Sequence, residues 1–160
     1  MNLATIYRRT IALLESRPVE WTVLLFVRVV FAGIFWRSGA TKVVDGTWFH
    51  IKPETYDLFS TDFSGVPLEP HLAANLSNAA EHFFPLLLVL GLATRFSAAG
   101  LLVMTMVIQI FVFPDAWWPT HSLWVALALV LITRGPGLFS IDALIAKLHP
   151  RAGAPLAANT

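Results

Sequence analysis

Four ionisable side chains, Arg28, Arg37, Glu81 and His82, interrupt stretches of sequence that are otherwise apolar. Inside a membrane such groups are costly, so they face a bundle interior or water and mark the default site for binding or proton transfer. Adjacent carboxyl and imidazole groups suit proton exchange near neutral pH. Glu81 and His82 are therefore the candidate catalytic pair. Arg28 and Arg37 are candidates to bind an anionic group or to pair with Glu81, because an unpaired buried charge costs several kcal/mol. They are nine residues apart, about 180° around a helix, so they cannot both point straight at one carboxylate.

His71, Asn75, Asn78 and His82 recur at steps of four, three and four, which lays a polar stripe along one helix beside Glu81. Such a stripe facing lipid would be prohibitive. Together Arg37, Lys42, Asn75, Asn78, Glu81, His82, Gln109 and His121 form an expected polar pocket, with Arg28 deeper. Its substrate-binding candidates are Arg28, Arg37, Lys42, Asn75, Asn78, Gln109 and His121. Interhelical hydrogen bonds among the same residue types also hold bundles together, so a structural role stands beside the chemical one. No flavin, nicotinamide or metal motif is present. A bis-histidine haem needs histidines at matched depth, whereas His82 is deep and His121 shallow. With no cysteine in the chain, thiol relays and thiolate-bound clusters are excluded, and any redox role needs a borrowed carrier.

The elements that must position these residues follow from composition. Of 160 residues, 56% are apolar and 13% charged, about half the charge of a soluble domain. Four spans are expected, at about 21–40, 72–93, 97–113 and 118–133. Residues 72–113 as one helix would reach about 63 Å, twice the hydrocarbon thickness, so the chain must reverse near Thr94-Arg95. Asp45-Gly46, Pro114-Asp115 and Gly135-Pro136-Gly137 end the other spans. Trp117, Trp118 and Trp124 supply an interfacial belt. The fold class is thus an all-α integral membrane four-helix bundle.

Residues 1–18 lack a signal-peptide core and carry Leu3, Ile6, Tyr7, Ile11 and Leu14 on one helical face, as an amphipathic interfacial helix would. Residues 135–160 repeat the pattern with Ile141, Leu144, Ile145 and Leu148, capped by Ser140, before an Ala- and Pro-rich loose tail. Arg8, Arg9, Arg17, Arg95, Arg134, Lys147 and Arg151 collect on one side, against Lys42 and Lys52 on the other. The positive-inside rule then puts both termini in the cytoplasm, as for a protein of a bacterial-type cytoplasmic membrane. The aromatic 43–70 segment lies outside, either as a lid over the pocket or on the lipid headgroups. A net charge of +1 gives no field for nucleic acid.

The order of these features resembles the DoxX family of small four-helix membrane proteins. The matching elements are Arg28, the Gly39–Lys42 end of span one, Gly65-Val66-Pro67, Glu81 followed by Gly91-Leu92-Ala93-Thr94-Arg95, and Gly135-Pro136-Gly137 with Ser140 and Asp142. They cover about residues 24–145. Arg28, Lys42, Glu81 and Arg95 match the commonly charged positions, whereas His82-Phe83-Phe84-Pro85 is bulkier than in many members. The resemblance implies association with membrane oxidoreductase complexes, since the related DoxD is a subunit of a thiosulfate:quinone oxidoreductase. The expected function is a quinone-linked subunit, with quinone as the borrowed carrier and a soluble or membrane redox partner. The alternatives are a scaffold that docks such a partner, or a homodimeric carrier of a small anion or lipid.

Overall fold

The structure, a computed structural model, describes residues 2–149. The loose tail expected at the C-terminus lies outside them. The regular structure of the described residues is helical, apart from one isolated antiparallel bridge between Val43 and Ile51.

Helix α1 (Leu3–Leu14) starts on Asn2, whose side chain accepts from the Ala4 N–H. Helix α2 (Arg17–Lys42) follows directly, with Pro18 in its first turn, where the missing N–H is harmless. Its 26 residues bury Leu24, Arg28, Phe31, Phe35, Gly39 and Lys42, a seam of three- and four-residue steps. Helix α3 (Pro53–Thr61) lies in the outer connector. Helix α4 (Pro70–Leu90) begins at Glu69, whose carboxylate accepts from the His71 and Leu72 N–H groups. Those two bonds hold its pKa below the ordinary 4.5.

The reversal expected at Thr94-Arg95 comes slightly earlier. Gly91 ends α4 in the left-handed region at φ +67°, and helix α5 (Thr94–Phe111) starts three residues later. After a 3₁₀ turn at Pro114–Ala116, a π-helical turn at Trp117–His121 leads into α6 (Ser122–Arg134). Regular helix thus begins four residues later than the expected 118, because Pro119 and the π turn occupy the approach. Helix α7 (Ile141–Leu148) follows Gly135-Pro136-Gly137, capped by Ser140 Oγ on the Ala143 N–H.

Helix α2 packs on α4 and α6, and α5 packs on the same two. The shared core is Phe31, Ala32 and Phe35 from α2, Leu88 from α4, Ala98 and Leu101 from α5, and Ala128 and Leu131 from α6. Phe35 joins Phe31 and Trp124 edge to face, each at 5.4 Å. The outside is also apolar: Phe26 is 69% exposed and Phe96 65%. An exterior this apolar calls for lipid rather than water. Among the described residues, three segments are long and apolar enough to cross a membrane: Arg17–Lys42, Thr94–Phe111 and Pro114–Arg134. Helix α4 is not among them, since Asn75, Asn78, Glu81 and His82 dilute its apolar run.

The outer connector folds back on the bundle. Thr55 Oγ1 and the Lys52 N–H both donate to the Lys42 carbonyl, at 2.9 and 3.0 Å, capping the end of α2. Phe59 packs on Ala73 and Ala74, and Tyr56 stacks on His71 at 4.5 Å, which fixes α3 against the first turns of α4.

Candidate functional site

Lys42 and Glu81 meet where the last turn of α2 crosses the middle of α4. Lys42 Nζ donates to Glu81 Oε1 at 2.7 Å and Oε2 at 2.5 Å, and to Ser38 Oγ at 3.1 Å. An ammonium has three N–H donors, so all three are used. Ser38 in turn donates to Glu81 Oε1 at 3.1 Å, closing a triangle. Both charged residues are buried. Ser38 and Lys42 share a helix face four residues apart, and Gly39 lets the two helices meet. A Cβ at Gly39 would fall 3.0 Å from Glu81 Cβ and 2.8 Å from His82 Cε1.

This triangle borders a largely enclosed cavity of about 140 Å³, which His121, Trp124, Phe35 and Phe63 also line. The Gln109 amide orients His121. Its Nε2 donates to the Pro114 carbonyl at 2.6 Å, which leaves Oε1 facing His121 Nδ1 at 2.7 Å. An amide oxygen only accepts, so Nδ1 carries the proton and the neutral ring keeps Nε2 as its acceptor. The π turn turns this ring inward, where it packs on Trp124 at 5.0 Å.

Phe63, Ser77 and Ile108 line both this cavity and an apolar cleft of about 240 Å³ between α4 and α5. The cleft continues along Leu76, Ala80, Val103 and Val107. These three residues therefore border both the ion-pair cavity and an apolar groove on the outside of the helices.

Of the residues expected to form one pocket, Lys42, Glu81 and His121 line this cavity and Gln109 supports it. The others go elsewhere. His82 is adjacent to Glu81, 100° around α4, and faces a separate pocket beside Trp36 and Trp48. There its Nδ1 lies 2.9 Å from the Asn78 carbonyl. Asn78 ties its amide to the Trp48 carbonyl at 3.0 Å, while exposed Asn75 bonds only the His71 carbonyl, at 2.7 Å. Arg37 is exposed at the edge of a groove between α2 and α4, away from this cavity.

The expected pairing of Glu81 with an arginine is replaced by Lys42, and the reason lies in Arg28. Fully buried, Arg28 sits at the opposite end of the bundle, where it donates to the Leu88 carbonyl at 3.4 Å and to the Phe139 carbonyl. It ties the end of α4 to the turn before α7. Asp142 completes this inner clasp by accepting from the Ala93 and Thr94 N–H groups at 2.8 and 2.9 Å. Arg28 and Asp142 therefore brace the reversal, a role their spacing does not disclose. Ser38 and Trp124 lie outside the expected pocket, with the Ser38–Lys42 interval the signal for Ser38, whereas Phe63 belongs to the aromatic segment expected either as a lid over the pocket or on the headgroups.

The DoxX family model matches residues 23–114, which include Ser38, Lys42, Glu81 and Gln109 but not His121 or Trp124. The chain is also 31% identical over 142 residues to a Haemophilus influenzae protein named only as an uncharacterized protein, a match that covers 79% of this chain and 85% of that one. No solved structure matches the chain. The buried lysine–glutamate pair between α2 and α4 thus sits inside the segment that the family model matches, and the chain belongs to the DoxX family.

Proposed function

We propose that this chain is a quinone-linked subunit of a membrane oxidoreductase, with the quinone headgroup in the Lys42–Glu81 cavity and its tail in the α4–α5 cleft. The observation that carries this reading is that Phe63, Ser77 and Ile108 border both spaces, so that displacement of these side chains joins one to the other. A soluble anion would need a polar approach, whereas the cleft is lined by Leu76, Ala80, Val103 and Val107. A lipid-soluble molecule with a polar head matches both halves.

A bound quinone would supply electron transfer coupled to proton uptake at its two oxygens, which no side chain here provides. The chain's part is to hold and orient the headgroup. Lys42 Nζ and Ser38 Oγ can donate to a quinone oxygen by exchanging one bond of their triangle. His121 Nε2 can accept from a quinol hydroxyl. Glu81 is the group proposed to exchange the proton, and its partner favours this. Unlike a guanidinium, an ammonium can give up its proton, so the pair can pass from ammonium–carboxylate to amine–carboxylic acid at constant proton count without leaving a naked buried charge, and a proton that Glu81 gives to the headgroup must be replaced from outside the pair.

In this reading α4 crosses the membrane as the fourth helix, its polar residues being tolerable because Asn78, Glu81 and His82 are turned inward. Helices α1 and α7 lie on the cytoplasmic interface with both termini, and a separate redox partner supplies electrons. The test is quinol-linked electron transfer in membranes containing Glu81→Gln or His121→Leu. A fall of about 10² in rate, within the range of a lost general acid or base, is expected for Glu81→Gln. Unchanged rates in both variants would remove the proposed site.

A further inference from the structure

Within α2, Arg37 is the charged residue between Glu20 and Lys42 that the bundle leaves unused, since Arg28 is engaged at the other end. It lies five residues, about 7.5 Å, inside the Lys42 end of the helix, and its side chain faces outward. Among the described residues it has no ion-pair or hydrogen-bond partner. Below it runs an open groove between α2 and α4 of about 350 Å³, lined by Val29, Gly33, Trp36, Pro85 and Val89. The groove is open at its floor because a Cβ on Gly33 would meet nothing within 4 Å.

A cation at one end of an apolar furrow is complementary to an amphiphile with an anionic head. A guanidinium on the lipid-facing side of a span is costly unless an anion or water reaches it, and its long stem can carry it toward the headgroups. A phosphate also matches its forked donors. A second copy of the chain fits less well. The carboxylates of α2 and α4 are engaged elsewhere: Glu20 pairs with Arg134 at 2.6 Å at the opposite end, and Glu81 is buried against Lys42. A symmetric contact here would bring two Arg37 side chains together without a counter-charge.

We propose that the α2–α4 groove binds one phospholipid, with its phosphate on Arg37 and an acyl chain lying past Gly33 toward Val29 and Val89. This site is separate from the Lys42–Glu81 cavity and stands without the quinone reading. Its test is native mass spectrometry of the full chain released from micelles that contain phosphatidylglycerol. Wild type should retain one lipid per chain. Arg37→Gln, which removes the charge, and Gly33→Leu, which fills the groove, should each reduce retention about tenfold, the scale of one lost charge-assisted contact. Gly33→Leu should fold normally, since open space surrounds the position and a better helix former replaces glycine. Equal retention in all three proteins overturns the proposal. So does loss in Arg37→Gln with Gly33→Leu unaffected, or a wild-type dimer that Gly33→Leu converts to monomer without loss of lipid.

Discussion

Lys42 Nζ stands 2.7 and 2.5 Å from the two carboxylate oxygens of Glu81, in a region that water scarcely reaches. Removal of one partner leaves the other charge buried and uncompensated, at a cost of about 3–5 kcal/mol, whereas removal of both by apolar groups is often neutral. Lys42→Met and Glu81→Leu should therefore each lower the melting temperature of the purified protein sharply. The double variant Lys42→Met/Glu81→Leu should recover most of that loss. A double variant as unstable as the sum of the two singles would show that the pair is not coupled.

The inner clasp makes a different prediction. Gly91 has φ +67°, and a Cβ there would fall 2.0 Å from Arg28 Nη1 and 2.9 Å from Ser140 Cα. Gly91→Ala should cost more than the left-handed penalty of about 1–2 kcal/mol, because it also displaces a buried guanidinium. Thermal unfolding checks this, together with protease cutting at 135–140, which should accelerate once Phe139 loses its donor. Wild-type stability in Gly91→Ala would contradict the packing described.

Asp142 closes the same turn from α7. In Asp142→Ala the first N–H groups of α5 lose their acceptors, a capping loss of about 0.5–2 kcal/mol. Amide exchange at Ala93 and Thr94 should quicken while exchange at Leu101 stays slow. Asp142→Asn, which keeps one acceptor oxygen, should fall between the two.

Glu69 supplies a pH signature outside the spans. Its carboxylate accepts from the His71 and Leu72 N–H groups, and these bonds hold its folded pKa below 4.5. The folded state binds the proton less readily than the unfolded one, so the stabilisation is complete above pH 4.5 and is lost as pH falls through the lowered folded value. Amide exchange at His71 and Leu72, corrected for its intrinsic pH dependence, should lose protection on acidification in wild type. Glu69→Gln should show no such transition.

Much of the helix order was legible because Pro, Gly and Asp-Gly breaks fall between long apolar runs. Glu81, Lys42, Gln109 and His121 were legible as costly polar groups. What composition could not give was direction. The buried seam of α2 at Arg28, Phe31, Phe35, Gly39 and Lys42 shows that Arg28 and Lys42 share a face while Arg37 opposes them. The nine-residue spacing of the arginines required that opposition, but which one turned inward depended on packing against α4. His82 diverged from Glu81 for a related reason: neighbours on a helix are 100° apart, so adjacency in sequence separated them in space. The π turn that aims His121 has no comparable sequence mark beyond Pro119.

A quinone headgroup in the Lys42–Glu81 cavity is tested by equilibrium binding of a short-tailed quinol to the purified protein in nanodiscs. Trp124 lines the cavity, so tryptophan quenching reads occupancy. Saturable binding of one molecule per chain is predicted, weakened about tenfold by Ser38→Ala or His121→Leu, the equivalent of one hydrogen bond. Quenching that rises only in proportion to quinol in the bilayer, and is the same in wild type and both variants, would contradict it.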